Sequence, residues 1–269
     1  MKKTRQLAYP YLFYVLIFIV VPLFMVLYYA FTKNGGFTFE HFKRISEPST
    51  IKTLITSFRV ALITTIVSLI IGYPFAYFMS KMNLKFRTAA MMLIMVPMWM
   101  NFLLRSYAWV TILSPNGVLD KAFALVGIKY NSFMYTEASV VLGMVYNFLP
   151  FMILPIYTAL EKIDNGLLEA AGDLGANSGQ TFRKVIFPMS LPGVFSGLTM
   201  VFVPVISTFE VSTLLGGGMV NMVGNVIERQ FTKTQNWGYG SALATVLMVI
   251  ILISMLFDRE SVEIGGKND

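Results

Sequence analysis

The chain has 269 residues, of which 56% are hydrophobic and 13% charged, with no cysteine, one histidine and a formal charge of +7. At a mean hydropathy of +0.66 it carries more apolar surface than a soluble core of this length could cover, so its solvent is mainly lipid. Disulfides and Cys/His metal clusters have no material here, which leaves His41 as a surface residue. The basic residues are scattered among short loops, a pattern of juxtamembrane positives rather than of a nucleic-acid-binding face.

After Lys2, Lys3 and Arg5, the interval from Leu7 to Thr32 is free of charge. A cleaved leader would have a shorter apolar region ending at small residues, and Tyr28-Tyr29-Ala30-Phe31 is a poor site, so this stretch is expected to remain as a first span. Further spans are predicted from about Val60 to Ser80, Ala89 to Leu113 with Arg105 inside, Ala138 to Leu160, Gly193 to Leu215 with Glu210 near its end, and Gly238 to Phe257. Uncharged runs of this length are too long for barrel strands, and hydrocarbon tolerates only helices or closed barrels. The expected fold is therefore all-α: a polytopic protein of six transmembrane helices forming one membrane domain over residues 1–269.

Orientation follows from the shortest basic flanks. Lys2, Lys3 and Arg5 precede span one, and Lys81, Lys85 and Arg87 sit between spans two and three with no acid among them, which puts these segments and both termini in the cytoplasm. Prolines 22, 74, 97, 150, 155 and 204 fall within the spans, where they bend helices and free carbonyls, as suits a bundle that rearranges around a pathway.

The longest polar interruption of the second half runs from Glu161 to Pro192. Leu167, Leu168, Ala170, Ala171 and Leu174 recur at helical spacing while Asp164, Glu169 and Asp173 fall elsewhere, so a short amphipathic helix is predicted. Gly175 should end it. A second short helix is expected over Ser178 to Ile186, with Pro188 forcing a turn after it.

Glu169-Ala170-Ala171, Gly175 and the run Val185-Ile186-Phe187-Pro188 resemble the EAA loop of permease subunits of bacterial ABC importers. Val185 stands where that family has Ile, and Phe187 where it has Leu. The resemblance implies the type I importer permease fold, in which this loop is a cytoplasmic coupling helix docked in a cleft of the ATP-hydrolysing subunit. Glu169, Ala170, Ala171, Gly175 and Pro188 are then the coupling residues: the small ones allow close backbone approach and Glu169 supplies a polar anchor. No G-x-x-x-x-G-K-[ST] phosphate loop occurs, so the chain is not expected to be an enzyme, and ATP chemistry falls to a partner.

The segments Pro97 to Trp109, Asn147 to Met152, Leu160 to Asp164, and Leu214 to Gly218 with Gly224 to Ile227 resemble spermidine/putrescine permeases of the PotB type, in order from about Phe58 onward. That resemblance implies a bacterial inner-membrane complex containing a homologous second permease, two copies of an ATPase and an extracytoplasmic polyamine-binding protein, with transport by alternating access and no cofactor or metal. A route for polyamines should combine carboxylates with aromatic faces that accept both ammonium and methylene groups. Glu210 is the acid placed within a span, and the candidate pathway residues are Glu210, Trp99, Tyr107, Tyr146, Asn147 and Phe209. Glu210 could instead pair with Arg105 or sit in outer-leaflet water. Arg105 would repel a cation in an open path and is read as structural, paired with Glu210 or Glu137, its stem snorkelling outward. Trp99 and Trp109 could equally be interfacial anchors, as Trp237 is expected to be. The alternatives are an ABC permease for another small solute such as iron or thiamine, or an ion-coupled secondary transporter, in which the EAA loop would have no task.

Overall fold

The computed structural model describes residues 8–127 and 132–265, with side chains at 10–127 and 132–255. Lys2, Lys3 and Arg5 of the orientation argument lie outside the described residues. Helix α1 (Ala8–Val15) passes through a π segment (Leu16–Val20) into α2 (Val21–Phe31). A hairpin of β1 (Thr32–Lys33) and β2 (Gly36–Phe37) follows, turning at Asn34-Gly35, both at positive φ, the geometry that an Asn-Gly pair favours. Then come α3 (Glu40–Ile45), α4 (Pro48–Lys81), α5 (Leu84–Trp99), α6 (Phe102–Leu113), α7 (Val118–Leu125) and α8 (Glu137–Glu161). The remainder is α9 (Asn165–Asp173), α10 (Ser178–Thr181), a π segment (Phe182–Ile186), α11 (Phe187–Ser207), α12 (Glu210–Gly216), α13 (Val223–Thr232) and α14 (Trp237–Gly265).

The protein is a mostly helical, polytopic bundle. Among the described residues, five helices are long and apolar enough to cross a membrane, and one bent pair makes up to six. The core is built where α4, α8 and α11 pack on one another, around Val60, Met79, Met144, Met152, Ile156, Val201 and Val205. Lipid gives helices little hydrophobic reason to associate, so close approach through small residues matters more. Gly193 and Gly197, four apart on α11, supply it. A Cβ on Gly193 would stand 2.6 Å from the Pro155 carbonyl oxygen, and one on Gly197 would stand 2.8 Å from the Met152 sulfur.

Four expectations need correction. The third span, predicted as one helix from Ala89 to Leu113, is broken at Met100-Asn101 and bent by 95°. Pro97 removes a donor just before the break, and Asn101 caps the new helix by accepting from the Leu103 amide at 2.8 Å. The fifth span does not continue to Leu215: α11 stops at Ser207, and Glu210 opens the separate helix α12. Pro188 forces no turn, for the helix runs unbroken from Ser178 to Ser207. The reason is the π segment before it, closed by the Phe187 amide on the Phe182 carbonyl. A π turn widens the helix where the proline ring would otherwise strike the carbonyl four residues back. Pro22 in the first span follows Leu16–Val20 with the same offset, and Val21 N–H closes that π turn on Leu16.

The second predicted span also starts earlier than Val60. At 34 residues, α4 is about 50 Å long at 1.5 Å per residue, against a hydrocarbon core of about 30 Å, so its first turns stand outside the membrane with Lys52 and Arg59. Arg59 pairs with Glu137 at that end of the bundle, and Arg87 pairs with Glu161 at the other.

Candidate functional site: the polar loop and two broken spans

Asp164 begins α9 as N-cap, its Oδ1 accepting from the Gly166 amide at 3.0 Å. The helix ends in two nested bonds: the Ala176 amide donates to the Ala171 carbonyl at 3.0 Å, and the Gly175 amide to the Gly172 carbonyl at 2.8 Å. That pair is a Schellman cap, and it requires the left-handed backbone that Gly175 adopts at φ +78°. Asn177 and Gln180 then cap the next helix reciprocally, each side chain accepting from the other's amide at 2.9 Å. Thus the predicted amphipathic helix and its glycine stop are present.

Of the five residues singled out in this loop, Glu169, Ala170, Ala171 and Gly175 share α9 and its cap, while Pro188 stands apart at the start of α11. Glu169, Ala170 and Gly175 are exposed, and Ala171 is half-buried. Leu167 and Leu174 remain 47% and 89% exposed, so α9 keeps apolar side chains that this chain does not cover.

Helix α12, which begins at the second break, packs against α6, which begins at the first, and against α8. A Cβ on Gly143 of α8 would reach 2.3 Å from Leu215 and 2.9 Å from Val211, so α12 sits tightly on α8 there. Glu210 is in the first turn of α12, half-buried, and accepts from the Thr208 hydroxyl. Phe209, just before it, is half-buried, and its carbonyl is taken up by Thr213, Ser212 and Asn225. Asn147 is 1% exposed; its Nδ2 donates to the Gly143 carbonyl at 2.9 Å, and its Oδ1 is buried without a partner. Trp99 ends α5 at the first break and is 82% exposed; Tyr107 is 53% exposed.

The structure does not gather all six into one cavity. Tyr146 meets Trp109 edge-on at 5.4 Å, and both line a groove of about 580 Å³ between α4 and α8 that also includes Glu137 but none of the other five. The expected Arg105 pairing is corrected as well. Glu137 is engaged by Arg59, Glu210 by Thr208, and no ion pair to Arg105 occurs among the described residues. Arg105 is 8% exposed, with its Nε unpartnered and its guanidinium carbon 5.6 Å from the Phe102 ring.

Sequence reasoning missed Asn225. Its Oδ1 accepts from the Met222 amide and the Ser212 hydroxyl, and its Nδ2 reaches the Phe209 carbonyl and the Thr213 hydroxyl, at 2.7–3.1 Å. One amide therefore ties α13 to the second break. Asn225 stands three residues after Met222, the spacing of a residue reaching back over a helix start, but that signal is weak without knowing where the helix begins.

With this geometry in hand, the comparison with known proteins is decisive. Residues 68–259 match the family described as binding-protein-dependent transport system inner membrane component. The chain belongs to this family. The permease is 39% identical over 251 residues to the spermidine/putrescine transport system permease protein PotB of Haemophilus influenzae, covering 89% of this chain and 88% of that one. It is 35% identical over 252 residues to the protein of the same name in Escherichia coli, covering 90% and 92%. Among solved structures, a bacterial ABC transporter involved in alginate import matches with a TM-score of 0.81 at 19% identity over 96% of both chains. The MetNI methionine transporter matches at 0.60 and 17% identity, over 82% of this chain and 99% of that one; at these identities the likeness speaks for the fold alone. The permease is a multi-pass inner-membrane subunit of a multi-subunit ABC importer, and in this family ATP is hydrolysed by a separate subunit.

Proposed function

We propose that this permease passes spermidine or putrescine inward by alternating access. In this reading it works beside a homologous second permease, two copies of an ATPase bind at the α9 end, and an extracytoplasmic polyamine-binding protein delivers cargo at the opposite end. The observation that carries it is the near full-length match to two permeases named for these amines. The α9 end is then cytoplasmic, in agreement with Lys81, Lys85 and Arg87 lying there. Ala170, Ala171 and Gly175 let the ATPase approach α9, Glu169 anchors it, the exposed Leu167 and Leu174 add apolar contact, and Pro188 starts the rigid helix behind it.

Polyamines need a carboxylate and ring faces along the route. Glu210 would supply the charge at the second break with Phe209 beside it in the chain, Trp99 the exposed indole at the first, Tyr107 and Asn147 further contacts from α6 and α8, and Tyr146 a ring face in the separate groove. The test is uptake of labelled spermidine and putrescine by the assembled complex, with unlabelled ferric iron and thiamine as competitors. Polyamine uptake that neither competitor reduces supports the reading. Uptake of another solute in preference refutes the cargo, and unchanged uptake by Glu210→Gln removes that residue from the route.

A further inference from the structure

We propose that Arg87 and Glu161 form a strut that carries movement of α9 into the broken third span, which makes Arg87 a positioning residue of the transport cycle. The inference rests on the reading that α9 docks on the ATPase. Arg87 Nη1 lies 2.9 Å from Glu161 Oε1. Glu161 is the last residue of α8, and only Lys162, Ile163 and the capping Asp164 separate it from α9. Arg87 is in the first turn of α5, its amide held by the Asn83 carbonyl at 3.0 Å.

Helix α5 is otherwise loosely held. None of its residues is buried; Ala90, Met91 and Ile94, in line with Arg87 at helical spacing, rest half-buried on the core. Among the described residues, Arg87–Glu161 is the ion pair that ties α5 to the rest of the chain. At its other end α5 stops at the Met100-Asn101 break, about 20 Å from Arg87 at 1.5 Å per residue. Held along its length only by these half-buried side chains, α5 can carry a displacement of its base to the break.

The surroundings suit motion. A cavity of about 160 Å³ opens beside the pair, lined by Tyr77, Ser80, Lys81, Leu168 of α9 and Ile186, so the underside of α9 can shift without expelling packed side chains. The buried Tyr157 hydroxyl lies next to both charges. The pair is 26% and 43% exposed, and such pairs add little to stability, so its removal should change transmission rather than folding.

This chain has no cysteine, so an introduced one is its sole thiol and labelling is read on this subunit after the complex is separated. Met100→Cys reports the break through its maleimide labelling rate in the reconstituted complex, without nucleotide and with ATP trapped by vanadate. Ala171→Cys, cross-linked to the ATPase, reports docking. We expect Arg87→Gln and Glu161→Gln each to keep the cross-link while the ATP-dependent change in labelling falls by about fivefold, the lower end of ordinary coupling between sites. Arg87→Glu with Glu161→Arg should restore it. Glu161→Gln removes only charge and keeps the test open if Arg87→Gln fails to assemble. An unchanged labelling ratio, or a reversed pair no better than the single variants, overturns the strut. A missing cross-link in the complex with unmutated Arg87 and Glu161 refutes docking and the strut with it, whereas an intact cross-link with no nucleotide effect at position 100 refutes the strut alone.

Discussion

Gly193→Ala is the sharpest test of how the bundle is held. The added methyl would stand 2.6 Å from both the Pro155 carbonyl oxygen and the Ala159 Cβ, and 3.1 Å from the Ile156 Cα. Carbon atoms pack at about 3.5–4.0 Å, so α8 and α11 must part by roughly 1 Å along their tightest contact, and two of the three obstacles are backbone atoms that cannot turn aside. Overpacking of this kind costs about 1–3 kcal/mol. At roughly 2–4 °C per kcal/mol for chains approaching this length, thermal unfolding of the detergent-solubilised protein should fall by about 2–12 °C. Gly197→Ala should cost less, because its 2.8 Å obstacle is the Met152 sulfur, the far part of a flexible side chain. Gly172→Ala meets nothing within 4 Å inside α9 and should be neutral or stabilising by up to about 1 kcal/mol. Ala159→Gly should restore part of the loss in Gly193→Ala and leave the Pro155 clash. A midpoint for Gly193→Ala within about 1 °C of the unmutated protein, well inside the span set by the overpacking cost, would refute the close-approach argument.

Gly175→Ala meets no neighbour, so its cost is backbone strain of about 1–2 kcal/mol, and Gly175→Asn should cost less. Amide hydrogen exchange at Ala176 should speed up in that order if the Schellman cap is what holds the end of α9. Asn225→Leu removes three hydrogen bonds between α13 and the second break and one within the cap of α13, and should destabilise by about 1–3 kcal/mol, read as a lower unfolding midpoint, whereas Asn225→Asp keeps the acceptor bonds and should cost less. The hydrogen bond and charge of Lys33 hold the Glu40 carboxyl below its ordinary value of 4.5. A depressed folded pKa gives stabilisation that is complete above the unfolded value and lost as pH falls through the folded one, so the hairpin contact should weaken only in acid. Lys33→Gln should move the Glu40 titration, followed by carboxyl carbon NMR, upward toward 4.5.

Hydropathy located the spans because burial in lipid depends only on how many apolar residues stand in a row. It is blind to where the helix axis turns. Met98 to Leu104 contains no charge, so a 95° bend at Met100-Asn101 leaves the count unchanged. What reports the bend is local chemistry: Pro97 withholds an amide, and Asn101, an apt cap, follows within one turn. Thr208-Phe209-Glu210 after Pro204 is the same message in the fifth span, where a hydroxyl, an acid and a preceding proline mark a helix start inside an apolar run.

The error at Pro188 has the opposite origin. Proline is locally helix-breaking, but tertiary packing of Ser190, Gly193, Val194 and Gly197 into the bundle keeps the helix intact, and the chain absorbs the proline by widening one turn before it. The loop between Glu161 and Pro192 is legible because its structure is local: the N-cap at Asp164, the left-handed glycine at 175 and the reciprocal cap at Asn177 are each set by hydrogen bonds that span five residues or fewer. Arg87–Glu161 was not legible for the converse reason. It joins residues 74 positions apart, and a single salt bridge between two loop-flanking charges leaves no periodicity in the sequence to betray it. On the proposed route and strut, transport would depend on features that hydropathy does not register: breaks inside apolar runs, and one charge pair that joins the third-span helix to the polar loop.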